Sequence, residues 1–468
     1  MNDTIAAVAS GMTASGIGII RISGPEAFSV LADIFRPGKK TAGKKADVKN
    51  YPGGTIHYGH IVDGDPDLPS SPVVDECLVM IMRGPKTYTT EDTAEINCHG
   101  GPFVMNRVLE TVLRNGARLA EPGEFTKRAF LGGRIDLTEA EAVMDLISAK
   151  SGDALRSSLL QLSGSVRREI ESLRGILLDE MSFIEAALDD PEHYDLDGYQ
   201  DTLLSRIREV RERLIYLKNS YEEGRYLKEG ILTVIVGKPN AGKSSLLNAL
   251  TGEERAIVTE IEGTTRDVLE EQVRIGGILL RVLDTAGIRE ARDQIEKIGV
   301  ERARQYAGDA DLLLAVFDSS REPDENDAEI LKLIRGRRAL ILLNKSDLPE
   351  KLPREELEKM ADGTPVLPVS VRNMTGMREL EERIRAMFFG RNAAWNEELC
   401  LTNARHMAAV SGAVSALDEV ENSINSGMTE DLYLVDFMDA YGLLGEIIGE
   451  EVGDDLVDNI FKKFCMGK

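Results

Sequence analysis

The run Gly237-Lys238-Pro239-Asn240-Ala241-Gly242-Lys243-Ser244 constrains the fold of this chain more than any other stretch. It fills every position of the G-x-x-x-x-G-K-[ST] phosphate-binding pattern. The apolar run Ile231 to Val236 before it reads as a buried strand, and Ser244 to Leu250 after it reads as the opening of a helix. The glycines let backbone N–H groups turn inward around phosphate oxygens, and the helix N-terminus adds a positive partial charge. Lys243 would reach the outer phosphates, and the Ser244 hydroxyl would ligate Mg²⁺.

Such a loop implies only a nucleotide. The base is named by Asn344-Lys345-Ser346-Asp347, which follows the strand-like Ala339 to Leu343. A carboxylate at Asp347 can accept both N–H groups of the guanine edge, where adenine offers no matching pair, and such a site rejects the wrong ligand by roughly 10⁴-fold. Asp284-Thr285-Ala286-Gly287 closes another strand, supplying a carboxylate to the Mg²⁺ shell and a glycine N–H to the γ-phosphate. The first switch belongs between these motifs, at Thr259-Glu260-Ile261-Glu262-Gly263-Thr264-Thr265-Arg266-Asp267. Thr265 is the natural second hydroxyl ligand of Mg²⁺, ordered only when the γ-phosphate is present. In this order the motifs specify GTP.

What is missing is equally informative. Ile288 stands where Ras-like proteins carry the glutamine that orients the attacking water. Hydrolysis therefore needs another source of water orientation and of charge neutralisation. Arg289 to Glu296 supplies carboxylates at Glu290, Asp293 and Glu296 on what reads as a mobile loop. Asn240 has two readings: its amide oxygen coordinates a monovalent cation lying against the phosphates, or it stabilises the turn of the loop.

A length of 468 residues implies two to four domains. No apolar run approaches the roughly 18 residues that span a membrane, and Met1-Asn2-Asp3-Thr4 lacks the positive start of a secretory signal. Cys77, Cys98, Cys400 and Cys465 are scattered without a C-x-x-C pair. Neither a zinc site nor a disulfide framework is expected, and the cytoplasm is the expected compartment. A formal net charge of −24 repels a phosphate backbone, so any RNA contact needs a local basic patch or a basic partner.

Residues 1 to 120 read as mixed α/β, with strands near Gly16 to Ile22 and Leu78 to Met82 and a helix near Val104 to Leu113. The period then changes. Leu155, Leu159, Leu162, Val166, Ile170, Leu173, Leu177, Met181, Ile184 and Leu188 recur at steps of three and four, predicting one long amphipathic helix. A second runs through Leu203, Ile207, Val210, Leu214 and Leu217. Helical spacing returns at Met407, Val410, Val414 and Leu417, and again around Leu434, Met438 and Tyr441. Long helices on both sides of residues 230–390 predict one bundle interrupted by an inserted GTPase domain. The stripe is bundle core in the simplest reading and a dimer seam in the other.

Further motifs join these: Cys98-His99-Gly100-Gly101, the segment Glu121-Pro122-Gly123-Glu124-Phe125-Thr126-Lys127-Arg128-Ala129-Phe130, the Gly263-Thr264-Thr265-Arg266-Asp267 switch and the ending Phe464-Cys465-Met466-Gly467-Lys468. With them the chain resembles, essentially end to end, the tRNA modification GTPases called MnmE or TrmE. The resemblance implies an α+β folate-binding and dimerisation domain over 1–120, a central helical bundle from 121–228 and 389–468, and a Ras-like P-loop G domain inserted at 229–388. It implies a homodimer working with the flavoprotein MnmG (GidA), which holds the FAD, in a heterotetramer. That assembly would install aminomethyl or carboxymethylaminomethyl groups on the wobble uridine of certain tRNAs, using a tetrahydrofolate one-carbon unit.

Carried over residue by residue, the resemblance places potassium ligands at Asn240, Thr259, Ile261 and Thr264 and the water-orienting glutamate at Glu296, with Lys243 beside it in catalysis. It extends the GTP contacts to Ser245 and to the guanine-cradling loop Ser370-Val371-Arg372. Folate contacts fall on Arg21, Glu95, Arg134 and Lys468. Cys465 is either a thiol brought near the folate or a small apolar residue packing the last helix. The rival function is a regulatory GTPase in ribosome assembly. It should carry a basic RNA-binding module, and no basic G-x-x-G segment follows residue 390.

Overall fold

The computed structural model describes residues 3–38, 47–190, 192–194, 198–253, 270–283, 306–390, 399–450, 452–464 and 467. The chain forms two compact units, Met1–Met144 with Leu444–Lys468, and Asp145–Leu443.

The first unit is built on a seven-stranded sheet in the order β3-β4-β5-β6-β2-β1-β7. Its strands are β1 (Ile5–Val8), β2 (Gly18–Ser23), β3 (Phe35–Pro37), β4 (Thr55–Val62), β5 (Val73–Met82), β6 (Thr93–Cys98) and β7 (Arg118–Leu119). Alternation along the strands sorts the side chains between two faces. Ile20, Ile22, Val79, Ile81 and Ile96 are buried in one core with α1 (Ala27–Ile34) and α2 (Pro102–Arg114). Ile5 and Ala7 instead join Ala120 and Phe125, the latter on α3 (Glu124–Leu131).

A buried charge network fastens α3 in place. Arg128, 3% exposed, donates to Asp3 O at 2.9 Å, Asp3 Oδ1 at 2.8 Å, both Glu91 oxygens at 3.1 Å and Glu124 Oε1 at 3.0 Å. Arg118 bridges Asp3 and Glu124 from the other side, at 2.8 and 2.7 Å. Burial pushes the Glu124 carboxyl up. The donors Arg118, the Glu121 N–H and Arg128 outweigh it and hold the group below its ordinary range. Further along, Leu137 and Ala140 of α4 (Leu137–Ser148) pack with Val457, Phe461 and Phe464 on and after α14 (Asp454–Phe461).

The second unit begins as a helical bundle of α5 (Gly152–Leu162), α6 (Ser165–Asp189), α7 (Tyr199–Glu229), α12 (Ala404–Asn425) and α13 (Glu430–Ile448). The stripes on α6, α7 and α12 are buried as the sequence predicts, from Val166 to Ile184, Leu203 to Leu217, and Val410 to Leu417. Two expectations are corrected. The helix predicted to run unbroken from Leu155 to Leu188 is divided after Leu162, at Gly164 with φ +79°. Leu155 and Leu159 are 43% and 48% exposed, while α5 turns Ala154, Ser158 and Gln161 inward. Gln161 Nε2 donates to buried Thr402 Oγ1 at 3.1 Å and to Cys400 O at 3.3 Å, so a polar group that needed partners sets the rotation of α5. On α13 the buried face is Tyr433, Phe437 and Ala440, one residue ahead of the predicted one, and Met438 is 62% exposed. Burying two large aromatic rings outweighs burying the flexible Met438.

Inserted between α7 and α12 lies a six-stranded sheet in the order β13-β12-β11-β8-β10-β9. Its strands are β8 (Ile231–Gly237), β9 (Glu270–Ile275), β10 (Ile278–Leu283), β11 (Leu312–Asp318), β12 (Ala339–Asn344) and β13 (Val366–Pro368). Every neighbouring pair is parallel except β9 with β10. Helices α8 (Lys243–Glu253), α9 (Glu325–Ile334), α10 (Arg354–Met360) and α11 (Met377–Phe388) accompany it, and apolar cores form on both faces. Burial on both sides explains why β11 and β12 read as continuous apolar runs rather than alternating ones.

Replacing Arg128 by Met would leave Glu91 without its guanidinium and Glu124 with Arg118 as its remaining cation, at a cost of about 3–5 kcal/mol. Native-state hydrogen exchange of the α3 amides should show their opening free energy fall by that amount at pH 7. Because the Glu124 carboxyl is depressed in the folded state, its contribution is present above its ordinary value of 4.5 and lost as the pH falls through the folded value. The gap between wild type and variant should therefore narrow on acidification.

Candidate functional site

Strands β8, β11 and β12 end side by side at Gly237, Asp318 and Asn344. Beyond these carboxyl ends lies a cavity of about 780 Å³. Asn240, Gly242, Lys243, Ser244 and Ser245 line it from the phosphate loop, Asn344, Lys345 and Asp347 from the base-reading motif, and Val371 and Arg372 from the loop after β13. Asn248, Ala249 and Leu348, which sequence reading left out, complete the lining. Ala241 and Ser370 sit behind it, 2% and 1% exposed.

One side chain joins the three segments. Asn344, 3% exposed, donates through Nδ2 to Ala241 O at 2.9 Å and accepts through Oδ1 from Val371 N at 3.2 Å. The phosphate loop passes so close that a Cβ on Gly242 would lie 2.2 Å from Asn344 Nδ2, and Gly242 holds φ +105°. Only glycine fits there. Lys243 Nζ donates to Gly237 O and Lys238 O, each at 2.8 Å, which places the ammonium inside the loop. Ser370 Oγ donates to Asp347 Oδ1 at 2.6 Å and holds that exposed carboxyl below its usual range, ionised and aimed at neutral pH.

For a divalent cation the described residues offer the exposed Ser244 hydroxyl beside Lys243, at the N-terminus of α8. Asn240, at φ +61°, also lines the cavity. Thr259, Glu260, Ile261, Glu262, Gly263, Thr264, Thr265, Asp284, Thr285, Ala286, Gly287 and Glu296 lie outside the described residues.

A second polar cluster forms in the first unit. Arg21 and Glu95 are cross-strand partners on β2 and β6, and Arg21 Nε donates to Glu95 Oε1 at 2.8 Å. Arg134 Nη1 donates to Tyr88 O at 3.0 Å, and its guanidinium lies 4.8 Å from the Tyr88 ring centroid. The Arg21 guanidinium lies 5.8 Å from the same ring and 5.6 Å from that of Phe125. Residues far apart in sequence thus meet around one aromatic ring, which sequence reading missed. Tyr88 sits in a threonine-rich turn without periodicity, and its only sequence signal is an aromatic among polar neighbours.

The chain terminus reaches this cluster too. Arg21 Nη1 donates to Gly467 O at 3.4 Å, and a Cβ on Gly467 would lie 2.1 Å from Val8 O, so Gly467 presses against β1 as bare backbone. Cys465 and Lys468 lie outside the described residues. Burial pushes the Cys98 thiol up to about 11 and the Cys77 thiol to about 12, so neither supplies a thiolate at neutral pH.

A mostly parallel sheet with helices on both faces, a phosphate loop and an Asn-Lys-x-Asp motif on one cavity, all set within a helical bundle, define a P-loop GTPase. Comparison with known proteins narrows the class. The family model for the GTP-binding protein TrmE N-terminus matches residues 4–134, and that for the MnmE helical domain matches residues 137–465. The chain is 49% identical over 466 residues to the tRNA modification GTPase MnmE of Lachnoclostridium phytofermentans, covering 100% of this chain and 99% of that protein. It is 45% identical to the Enterococcus faecalis protein of the same name, covering 100% and 98% of the two chains. The Bacillus subtilis protein is 43% identical with 100% of each covered. This chain belongs to the MnmE (TrmE) family of tRNA modification GTPases.

Asn344→Ala would strip partners from the Ala241 carbonyl and the Val371 N–H while leaving Lys243 and Asp347 in place. Each unsatisfied buried group costs about 1–3 kcal/mol. The dissociation constant for GDP, measured by calorimetry, should rise about tenfold or more.

Proposed function

We propose that this chain is a potassium-dependent GTPase whose cycle drives modification of the wobble uridine of certain tRNAs. With a flavoprotein partner it would install aminomethyl or carboxymethylaminomethyl groups, drawing the carbon from a tetrahydrofolate derivative. One observation carries the reading: a single chain holds both a GTP cavity and a separate cluster of arginines, a carboxylate and an aromatic ring. A GTPase switch alone has no use for the second.

The second cluster suits a reduced folate. Glu95 gives one oxygen to Arg21, leaving Oε2 to accept N–H bonds from a pterin edge. Tyr88 offers a flat face, and Arg21 and Arg134 offer donors to carboxylate or carbonyl oxygens. A bound tetrahydrofolate derivative supplies the one-carbon unit. The Gly467 carbonyl receives Arg21 Nη1 at 3.4 Å, which supports a part for the neighbouring Lys468 in folate binding.

In the cavity, Ser244 and Thr265 would hold Mg²⁺, and Asn240 with Thr259, Ile261 and Thr264 would hold K⁺. These cations neutralise charge on the phosphates, the part that an arginine plays elsewhere. Lys243 binds the outer phosphates, Asp347 binds the guanine edge, and Glu296 orients the attacking water once the switch segments order. Dimerisation is supported by an apolar strip on adjacent strands β4 and β5, where Ile56, Tyr58 and Leu78 are 60%, 50% and 47% exposed. The relatives' names specify tRNA modification. With a net charge of −24, contact with tRNA falls to a local basic patch or to the partner.

Nucleoside analysis of tRNA from cells lacking this chain tests the reading. Wobble-uridine modification should be lost, returned by the wild-type gene and not by Glu95→Ala, which should also lose 5-formyltetrahydrofolate binding while still hydrolysing GTP. Intact wobble modification alongside a ribosomal-subunit defect would sink the proposal in favour of an assembly switch. GTP turnover should also be faster in KCl than in NaCl at matched ionic strength, and equal rates would remove the cation from the mechanism.

A further inference from the structure

Below the base-reading motif lies a carboxylate that no nucleotide motif includes. Asp318 ends β11, opposite Asn344 on β12, and its side chain is 3% exposed. Its Oδ2 receives Lys345 Nζ at 2.5 Å, and Arg321 Nε lies 3.5 Å from the same oxygen. Its Oδ1 receives the Ser320 N–H at 3.0 Å and the Ser320 hydroxyl at 2.6 Å. Next to it, Ser319 donates its N–H to Asn344 O at 2.9 Å and its hydroxyl to Lys345 O at 3.0 Å. The turn after β11 therefore grips both the backbone and the side chain of Lys345.

Lys345 needs that grip. It holds φ +64°, a left-handed conformation that costs a non-glycine residue free energy, and it lines the cavity together with Asn344 and Asp347. A lysine has four freely rotating side-chain bonds, and pinning its ammonium removes most of that freedom before a ligand arrives. Burial pushes the Asp318 carboxyl up, but the hydrogen bonds from Lys345 and Ser320 outweigh it and keep the group ionised.

We propose that Asp318 is a positioning residue for guanine recognition: without touching the nucleotide, it fixes Lys345 at the base end of the cavity. The inference rests on the cavity's guanine-nucleotide reading, which GDP binding by the wild-type chain checks separately. The grip acts on the base end alone, so ligands without a base are indifferent to it.

Fluorescence titration of the full chain with a methylanthraniloyl-labelled GDP, and displacement by inorganic triphosphate, tests this. Asp318→Asn keeps the shape and removes the charge. It should weaken GDP about tenfold while triphosphate stays within about twofold of wild type. Lys345→Met should also weaken GDP, and Asp318→Asn added to Lys345→Met should change nothing further, because its effect travels through that lysine. Parallel weakening of GDP and triphosphate would mark a merely structural aspartate and overturn the proposal, as would additive losses in the double variant. Should Asp318→Asn fail to fold, Ser320→Ala decides alone. It removes one donor to the carboxylate and should weaken GDP about threefold, and unchanged affinity overturns the proposal.

Discussion

The GTP site depends on the side-chain amide of Asn344. Among the described residues it bonds both the phosphate loop at Ala241 and the cradle loop at Val371 while itself belonging to the base-reading motif. An amide suits this place because it presents a donor and an acceptor on one rigid plane, and the surroundings exclude the water that would otherwise serve both. The close approach of Gly242, the buried Ala241 and the alignment of β11 with β12 all follow from bringing these segments into reach of it. Sequence spacing shows that the motifs coexist. The amide makes them a single cavity.

Much of this was legible in the sequence because the nucleotide site is local in the chain. Ile231 to Gly237, the loop and α8 are consecutive, and the periodicity of a buried parallel strand is an unbroken apolar run. The long stripes of α6, α7 and α12 were equally plain, since over such lengths helical spacing leaves little room for another period. Where the reading slipped, it slipped on rotation and continuity. Leu155 and Leu159 look like core, but Gln161 had hydrogen bonds to satisfy, and the helix broke at Gly164 and turned its polar side inward. Periodicity ranks apolar residues without knowing which polar neighbours will be buried.

The cluster around Tyr88 marks the other limit. Arg21 and Glu95 meet because β2 and β6 pair in one register, and nothing local in either segment announces that pairing. Arg134 arrives after α3, and α3 is held by the ion pairs of buried Arg128 with Asp3, Glu91 and Glu124. Contacts of such long sequence separation appear only when the sheet closes. Resemblance to a family could name Arg21, Glu95 and Arg134, and the geometry adds the ring on which they converge.

The junction between bundle and GTPase sheet has a mechanical consequence. Helix α7 holds 31 residues and passes into β8, the strand that carries the phosphate loop, with only Gly230 between them. At 1.5 Å per residue the helix is a rod of about 46 Å. Gly230, at φ +85°, packs against Leu279, and Tyr226 and Leu227 of the last turn of α7 lie in the core of the GTPase sheet, so the joint is a fixed weld rather than a slack tether. A rotation of about 5° of the strand, carried through that joint, would sweep the far end of the rod through about 4 Å. The strand and the helix are therefore parts of one lever, with the phosphate loop on its short arm and the bundle on its long one.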